Sequence, residues 1–104
     1  MLSENRKYHF FGELTINRSG HLLEEQTRPK DDVVNWLFLN TGEIMLSFVY
    51  KIEKPSEATY NKPFKVHLAF TMDEKAKEVI DLNTTYEVLR GSEVIGNARI
   101  LMAE

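Results

Sequence analysis

The feature that most constrains this chain is the alternation of apolar and polar residues with a period of two. Its clearest example begins at Ile44, after which every second residue up to Ile52 is apolar. Because successive side chains of a β-strand point to opposite faces, this pattern predicts a strand with one face in a core. The same period predicts six strands in all: Tyr8 to Ile16, Val33 to Leu39, Ile44 to Ile52, Phe64 to Met72, Tyr86 to Arg90 and Val94 to Met102.

Two features interrupt this pattern. Gly12 stands inside the first strand, where a glycine indicates a bulge or a close approach of another backbone. The segment Asp73 to Ile80 is the only one typical of a helix, of one or two turns, with Asp73 as its cap. The predicted fold class is therefore all-β, a single six-stranded antiparallel β-barrel domain that spans residues 1 to 104.

The last two strands form a hairpin around Gly91 and Ser92. A glycine at the first turn position supplies the positive φ of a type II′ turn, which matches the twist of the strands that it joins. Counting outward from this turn pairs Arg90 with Glu93, Leu89 with Val94 and Val88 with Ile95, and it places Gly96 opposite Glu87. Apolar residues on both faces of the hairpin favour a place in a closed barrel wall.

Composition limits the function. The chain has 104 residues, a formal net charge of -3 and no cysteine. Disulfides, thiolate metal sites and a thiol nucleophile are excluded, and no strong global field favours nucleic acid or an acidic membrane surface. Residues Met1 to Lys7 are polar, and no run of about 18 apolar residues occurs. We expect a soluble, cytoplasmic protein without a membrane span.

The stretch "YEVLRGSEVIGNARI" resembles the terminal hairpin of the third, C-terminal β-barrel domain of the bacterial elongation factor Tu family, which typically reads F-A-I-R-E-G-G-R-T-V-G-A-G-V-V. "NKPFKVHLAFTMDEKAKEVIDLN", "YHFFGELTI" and Arg28-Pro29-Lys30 resemble further segments of that domain, so the similarity covers most of residues 7 to 102. The register of residues 17 to 40 against the family stays open, because Asp31 and Asp32 follow where the family continues with F-Y-F.

The resemblance implies a binding surface. In the family, this barrel contacts the T-stem of tRNA and protein partners through its R-P-Q segment and its R-E-G turn. The corresponding candidate residues here are Arg28, Lys30, Leu89, Arg90 and Gly91. Two binding hypotheses follow: recognition of a protein partner, or contact with RNA through Lys30 and Arg90.

Charge favours the protein partner over RNA. Asp31 and Asp32 stand next to Lys30 and repel phosphate, and Leu89 occupies a position that is basic in the family. The simplest role for Arg90 is an exposed ion pair with Glu93 at the mouth of the hairpin. We therefore expect a non-enzymatic module that binds a protein.

Catalytic and cofactor signals are weak. None of the five glycines belongs to a G-x-x-x-x-G-K-[ST] phosphate loop, so we expect no nucleotide binding. A third hypothesis, an enzyme site assembled from His67, Glu87 and Asp73, has no motif behind it. The three histidines, His9, His21 and His67, lack metal-ligand spacing, so we expect surface or core roles for them and neither metal nor cofactor. Trp36 is predicted to lie in the core.

Overall fold

The computed structural model describes residues 8 to 17 and 32 to 104, with the backbone alone for residues 32 to 36. The strands are β1 Phe10–Ile16, β2 Asp32–Asn40, β3 Met45–Ile52, β4 Phe64–Phe70, β5 Thr85–Arg90 and β6 Glu93–Ala103, with a 3₁₀ helix at Pro55–Glu57 and helix α1 at Asp73–Val79. The strands close into one barrel in the order β1-β4-β3-β2-β5-β6, and every neighbouring pair is antiparallel. The predicted six-stranded antiparallel barrel is confirmed, whereas the expected core position of Trp36 lies outside the described side chains.

The strand ends agree with the predicted ends to within two residues. The two-residue difference at the end of β4 changes the position of Met72. The predicted strand extended to Met72, but β4 ends at Phe70 and Met72 is 58% exposed. Met72 instead occupies the N-cap position of α1, so the expected cap at Asp73 is also wrong. The Asp73 carboxylate accepts a hydrogen bond from the backbone N–H of Glu74 at 3.0 Å, inside the first turn.

The barrel interior is apolar, as the alternation requires. Among the residues whose side chains are described, every buried side chain is aliphatic or aromatic, and the aromatic ones include Tyr50 and Tyr86. The rings of Phe10 and Phe48 pack against Phe70, with centroids 5.6 and 5.7 Å away. Ala76 of helix α1 and Ile80, the residue that follows the helix, belong to the same core. No helix in the described ranges is long and apolar enough to cross a membrane.

The backbones of β1 and β6 approach each other closely at two glycines. A Cβ at Gly12 would lie 2.3 Å from the carbonyl oxygen of Arg99, and a Cβ at Gly96 would lie 1.8 Å from the carbonyl oxygen of Thr15. The β1–β6 register also shifts between Phe11 and Gly12. Both of the alternatives predicted for Gly12, a bulge and a close backbone approach, are therefore present.

The terminal hairpin departs from the predicted register after two pairs. Arg90 lies opposite Glu93 and Leu89 lies opposite Val94, as predicted, but Val88 lies opposite Gly96. The expected pairs of Val88 with Ile95 and of Gly96 with Glu87 are wrong. Ile95 is an extra residue in β6, which forms a β-bulge, and it is buried.

Candidate functional site

The tip of the β5–β6 hairpin carries three of the residues that the sequence singled out. Gly91 has a φ of 62°, the positive value that the predicted turn requires. Arg90 is exposed and lies opposite the half-buried Glu93 at the mouth of the turn. Leu89 is half-buried on β5 and faces outward, because the neighbouring Val88 is fully buried.

The other two predicted contact residues, Arg28 and Lys30, lie outside the described residues. The proposed basic pair of Lys30 and Arg90 therefore stays a prediction. The positions that can be described on this side of the barrel belong to β2, β5 and β6.

Leu89 belongs to a line of apolar side chains that crosses three strands. Leu89 lies opposite Phe38 on β2 and opposite Val94 on β6. Paired residues of an antiparallel sheet share a face, so all three side chains point away from the core. Val94 is 48% exposed, and Phe38 and Leu89 are half-buried. We refer to Phe38, Leu89 and Val94 as the apolar row.

Polar side chains border the apolar row on β3 and in part of the next row, although the exposed Met45 lies opposite Asn40 on β3. Ser47 follows Phe38 in the same row on β3, and its hydroxyl donates to the Thr71 hydroxyl at 2.8 Å. In the next row along the strands, the amide nitrogen of Asn40 donates to a carboxylate oxygen of Glu87 at 3.4 Å. Apolar side chains rimmed by polar groups form the usual composition of a protein interface.

Sequence reasoning identified Leu89 but missed Phe38 and Val94 as parts of a surface. The sequence could have indicated Val94, since Leu89 and Val94 occupy the face of the hairpin opposite Val88. The pairing of β2 with β5, which adds Phe38, has no local signature because Phe38 and Leu89 are far apart in the chain.

On another part of the wall, His67 lies between two carboxylates. Its Nδ1 contacts a carboxylate oxygen of Glu104, just past β6, and its Nε2 contacts a carboxylate oxygen of Glu53, just past β3. Partial burial lowers the pKa of His67, but the hydrogen bonds and charges of Glu104 and Glu53 together raise it above its ordinary value of 6.5. The sequence alone did not predict these two carboxylate contacts.

The remaining histidines differ. The Nδ1 atom of His9 accepts a hydrogen bond from the Phe70 N–H at 3.1 Å, and its Nε2 lies 3.7 Å from a carboxylate oxygen of Asp73. His21 lies outside the described residues. Within the described ranges, no group of three or more His, Cys, Asp or Glu side chains could hold a metal ion.

The three residues of the enzyme hypothesis do not meet. His67 is on β4 and contacts Glu53 and Glu104, Asp73 is at the start of α1, and Glu87 is on β5 beside Asn40. In the closed barrel, two strands separate β4 from β5 in either direction. The arrangement therefore does not assemble the acid and base groups that this hypothesis required.

A polar hollow of about 430 Å³ opens beside the turn between β2 and β3, and three carboxylates line it, those of Glu43, Glu78 and Asp81. Tyr86 also lines the hollow, and its hydroxyl accepts a hydrogen bond from the Asp81 N–H at 2.9 Å. The backbone of the segment before β5 thus donates to this partly buried hydroxyl oxygen.

Comparisons of the chain with protein-family models, with curated proteins and with solved structures give no match, so the resemblance to the elongation factor Tu barrel stays a prediction.

Proposed function

We propose that this barrel is a non-enzymatic binding module that recognises a protein partner through the apolar row and the adjoining tip of the β5–β6 hairpin. The observation that carries the proposal is the alignment of Phe38, Leu89 and Val94 in register on the outer wall. An outward-facing apolar side chain gains little in water but contributes when a partner covers it.

The closed wall limits how a partner can dock. Each of the six strands pairs with two neighbours, so along the paired residues of the described part of the chain no strand edge is open to an added peptide. Recognition must then use side chains that project from the wall. Val94, as the most exposed member of the apolar row, is the natural anchor.

The same residues argue against RNA. If the chain shares the family's contact surface, Leu89 stands at one of its basic positions, and here it packs in an apolar row. Phosphate contacts need cations, and the chain carries a net charge of -3. The proposal also places the module in the cytoplasm, since a chain without cysteine needs no oxidising compartment for its folding.

The test compares two variants that make the same chemical change on β6. Val94→Asp places a charge in the apolar row, whereas Met102→Asp places one at a similarly exposed apolar position near the other end of the strand, with exposures of 48% and 53%. The tagged domains are used for affinity capture from the native host, and the captured protein is then purified and titrated by calorimetry. We expect Val94→Asp to weaken binding at least about tenfold, equivalent to about 1.4 kcal/mol, and Met102→Asp to retain it.

Three outcomes would contradict the proposal: no protein bound in stoichiometric amount, a protein bound equally well by Val94→Asp, or RNA in place of protein.

The RNA outcome has its own measurement, titration of a structured RNA such as a tRNA stem. We expect no measurable binding at physiological salt. Micromolar affinity that Lys30→Ala with Arg90→Ala abolishes, with a reduced salt dependence, would favour the RNA hypothesis.

A further inference from the structure

His67, Glu53 and Glu104 form a cluster that the proposed binding function does not use, and we refer to them as the clamp. His67 lies 14 residues from Glu53 and 37 residues from Glu104 in the chain. The imidazole on β4 thus contacts residues just past the ends of β3 and β6, and β1 lies between β4 and β6.

The geometry determines the protonation state that the clamp requires. A neutral imidazole has one N–H donor and one acceptor nitrogen, and the acceptor would then face a carboxylate that has no proton to give. Only the imidazolium can donate from Nδ1 to Glu104 and from Nε2 to Glu53 at the same time. The two contacts therefore coexist when His67 is positively charged.

Aromatic neighbours flank the histidine of the clamp. The rings of Tyr8 and Phe11 lie 6.0 and 5.2 Å from the His67 ring, measured between centroids. The His67 side chain is 27% exposed, whereas the Glu53 side chain is 42% exposed. Weaker screening at the partly buried histidine strengthens the attraction between the imidazolium and the carboxylates.

Other charged groups face the clamp from the neighbouring strands. Lys51 lies directly opposite His67 on β3, and its positive charge opposes protonation. Lys65, two residues from His67 on β4, is paired with Glu13 on β1, with 3.6 Å between Nζ and Oε2. The two clamp carboxylates contact the imidazole directly and so outweigh the single opposing lysine.

We propose that the clamp is a pH-sensitive device: protonated His67 ties Glu53 and Glu104 together across β4 and β1, and loss of the proton releases one of the two carboxylates. The pKa of His67 is raised in the folded state, so this stabilisation is fully present below the unfolded value of about 6.5 and is lost as the pH rises through the higher folded value.

The change is confined to side chains. The backbone N–H of Glu104 donates to the carbonyl of His9 at 2.9 Å, and the backbone N–H of Glu53 donates to the carbonyl of Lys65 at 2.9 Å. Neither bond depends on the His67 proton. The barrel stays closed while this face of the wall loses one positive charge and frees a carboxylate.

Nuclear magnetic resonance titration of the histidine ring tests the proposal. In the wild-type domain at pH 6, we expect both ring nitrogens of His67 to show protonated chemical shifts, and the ring to titrate above pH 6.5. Glu104→Gln and Glu53→Gln should each lower the pKa of His67. Glu13→Gln removes a carboxylate from the same wall that pairs with Lys65 instead, so it is the matched control and should lower that pKa less.

A second measurement follows the stability of His67→Gln relative to wild type by urea unfolding at several pH values. The wild-type advantage should be largest near pH 6 and should shrink as the pH rises through the folded-state pKa. A His67 ring with one proton at pH 6, a titration at or below pH 6.5, or equal shifts from Glu104→Gln and Glu13→Gln would overturn the proposal. A merely structural loss in His67→Gln would show no such pH dependence.

Discussion

Gly96→Ala is the substitution that examines the closure of the barrel most directly. Gly96 lies opposite Ile16 in the β1–β6 seam. An added Cβ would lie 1.8 Å from the carbonyl oxygen of Thr15 and 2.9 Å from its carbonyl carbon, closer than the 3.0 Å that Cβ atoms in folded proteins keep from their neighbours. Both neighbouring atoms belong to the backbone, so no side-chain rotation can relieve the contact.

The expected loss of unfolding free energy has several parts, because β1 and β6 must move apart to admit the added Cβ. Overpacking of this kind costs about 1 to 3 kcal/mol. Separation of the strands also weakens nearby ladder bonds, such as the 2.7 Å bond from the Asn17 N–H to the Ile95 carbonyl, at about 0.5 to 1.5 kcal/mol for each bond. Replacement of glycine restricts the unfolded chain and returns at most about 1 kcal/mol. The net loss is therefore about 3 kcal/mol, because the clash outweighs the entropy gain.

Differential scanning calorimetry measures this loss. For a domain of this size, 3 kcal/mol lowers the Tm by roughly 12 to 24 °C. Asn97→Ala is the control, since Asn97 is the next residue of β6 and is exposed, and its effect should stay within about 0.5 kcal/mol. A Gly96→Ala domain as stable as wild type would refute the close approach of β1 and β6.

Three further substitutions examine the core, the hairpin turn and the polar hollow. Phe48→Ala removes a fully buried ring and should cost about 3 to 5 kcal/mol in urea unfolding; a cost near zero would mean that this face is not core. Gly91→Ala meets no atom within 4 Å but has a φ of 62°, so calorimetry should show a loss of about 1 to 2 kcal/mol from backbone strain alone, less than at Gly96. Tyr86→Phe deprives the Asp81 N–H of its acceptor and should cost about 1 to 3 kcal/mol, and unchanged stability would show that water replaces the hydroxyl.

The strands could be predicted because the alternation of apolar and polar residues lies within each strand's own sequence. Alternation from Leu46 to Ile52 indicates a core face without any knowledge of the neighbouring strands, although Val49 on the opposite face is also buried. The hairpin turn was equally local, since Gly91 alone indicates the positive φ. The register beyond Leu89 could not be predicted in this way, because Val94 and Ile95 are both apolar and either can face the core. Only the β-bulge at Ile95 decides which of them does so.

The clamp and the apolar row could not be predicted, because each depends on which strands become neighbours. The closed order β1-β4-β3-β2-β5-β6 brings β2 beside β5 and places β4 between β1 and β3. A single sequence indicates which residues of each strand face outward, but it does not indicate which strands are neighbours in the barrel. His67 therefore stood alone in the sequence, although the fold supplies it with two carboxylates.

The barrel separates the two surfaces that we propose to be functional. The apolar row crosses β2, β5 and β6, whereas His67 lies on β4 between β1 and β3. Strand β6 takes part in both, with Val94 near its beginning and Glu104 just past its end. Backbone hydrogen bonds hold Glu104 whether or not His67 carries its proton, so the release of a carboxylate has no direct route to Val94. The effects of substitutions at distant sites without shared partners are additive. An experiment that contradicts the binding proposal therefore leaves the clamp proposal unaffected, and the reverse also holds.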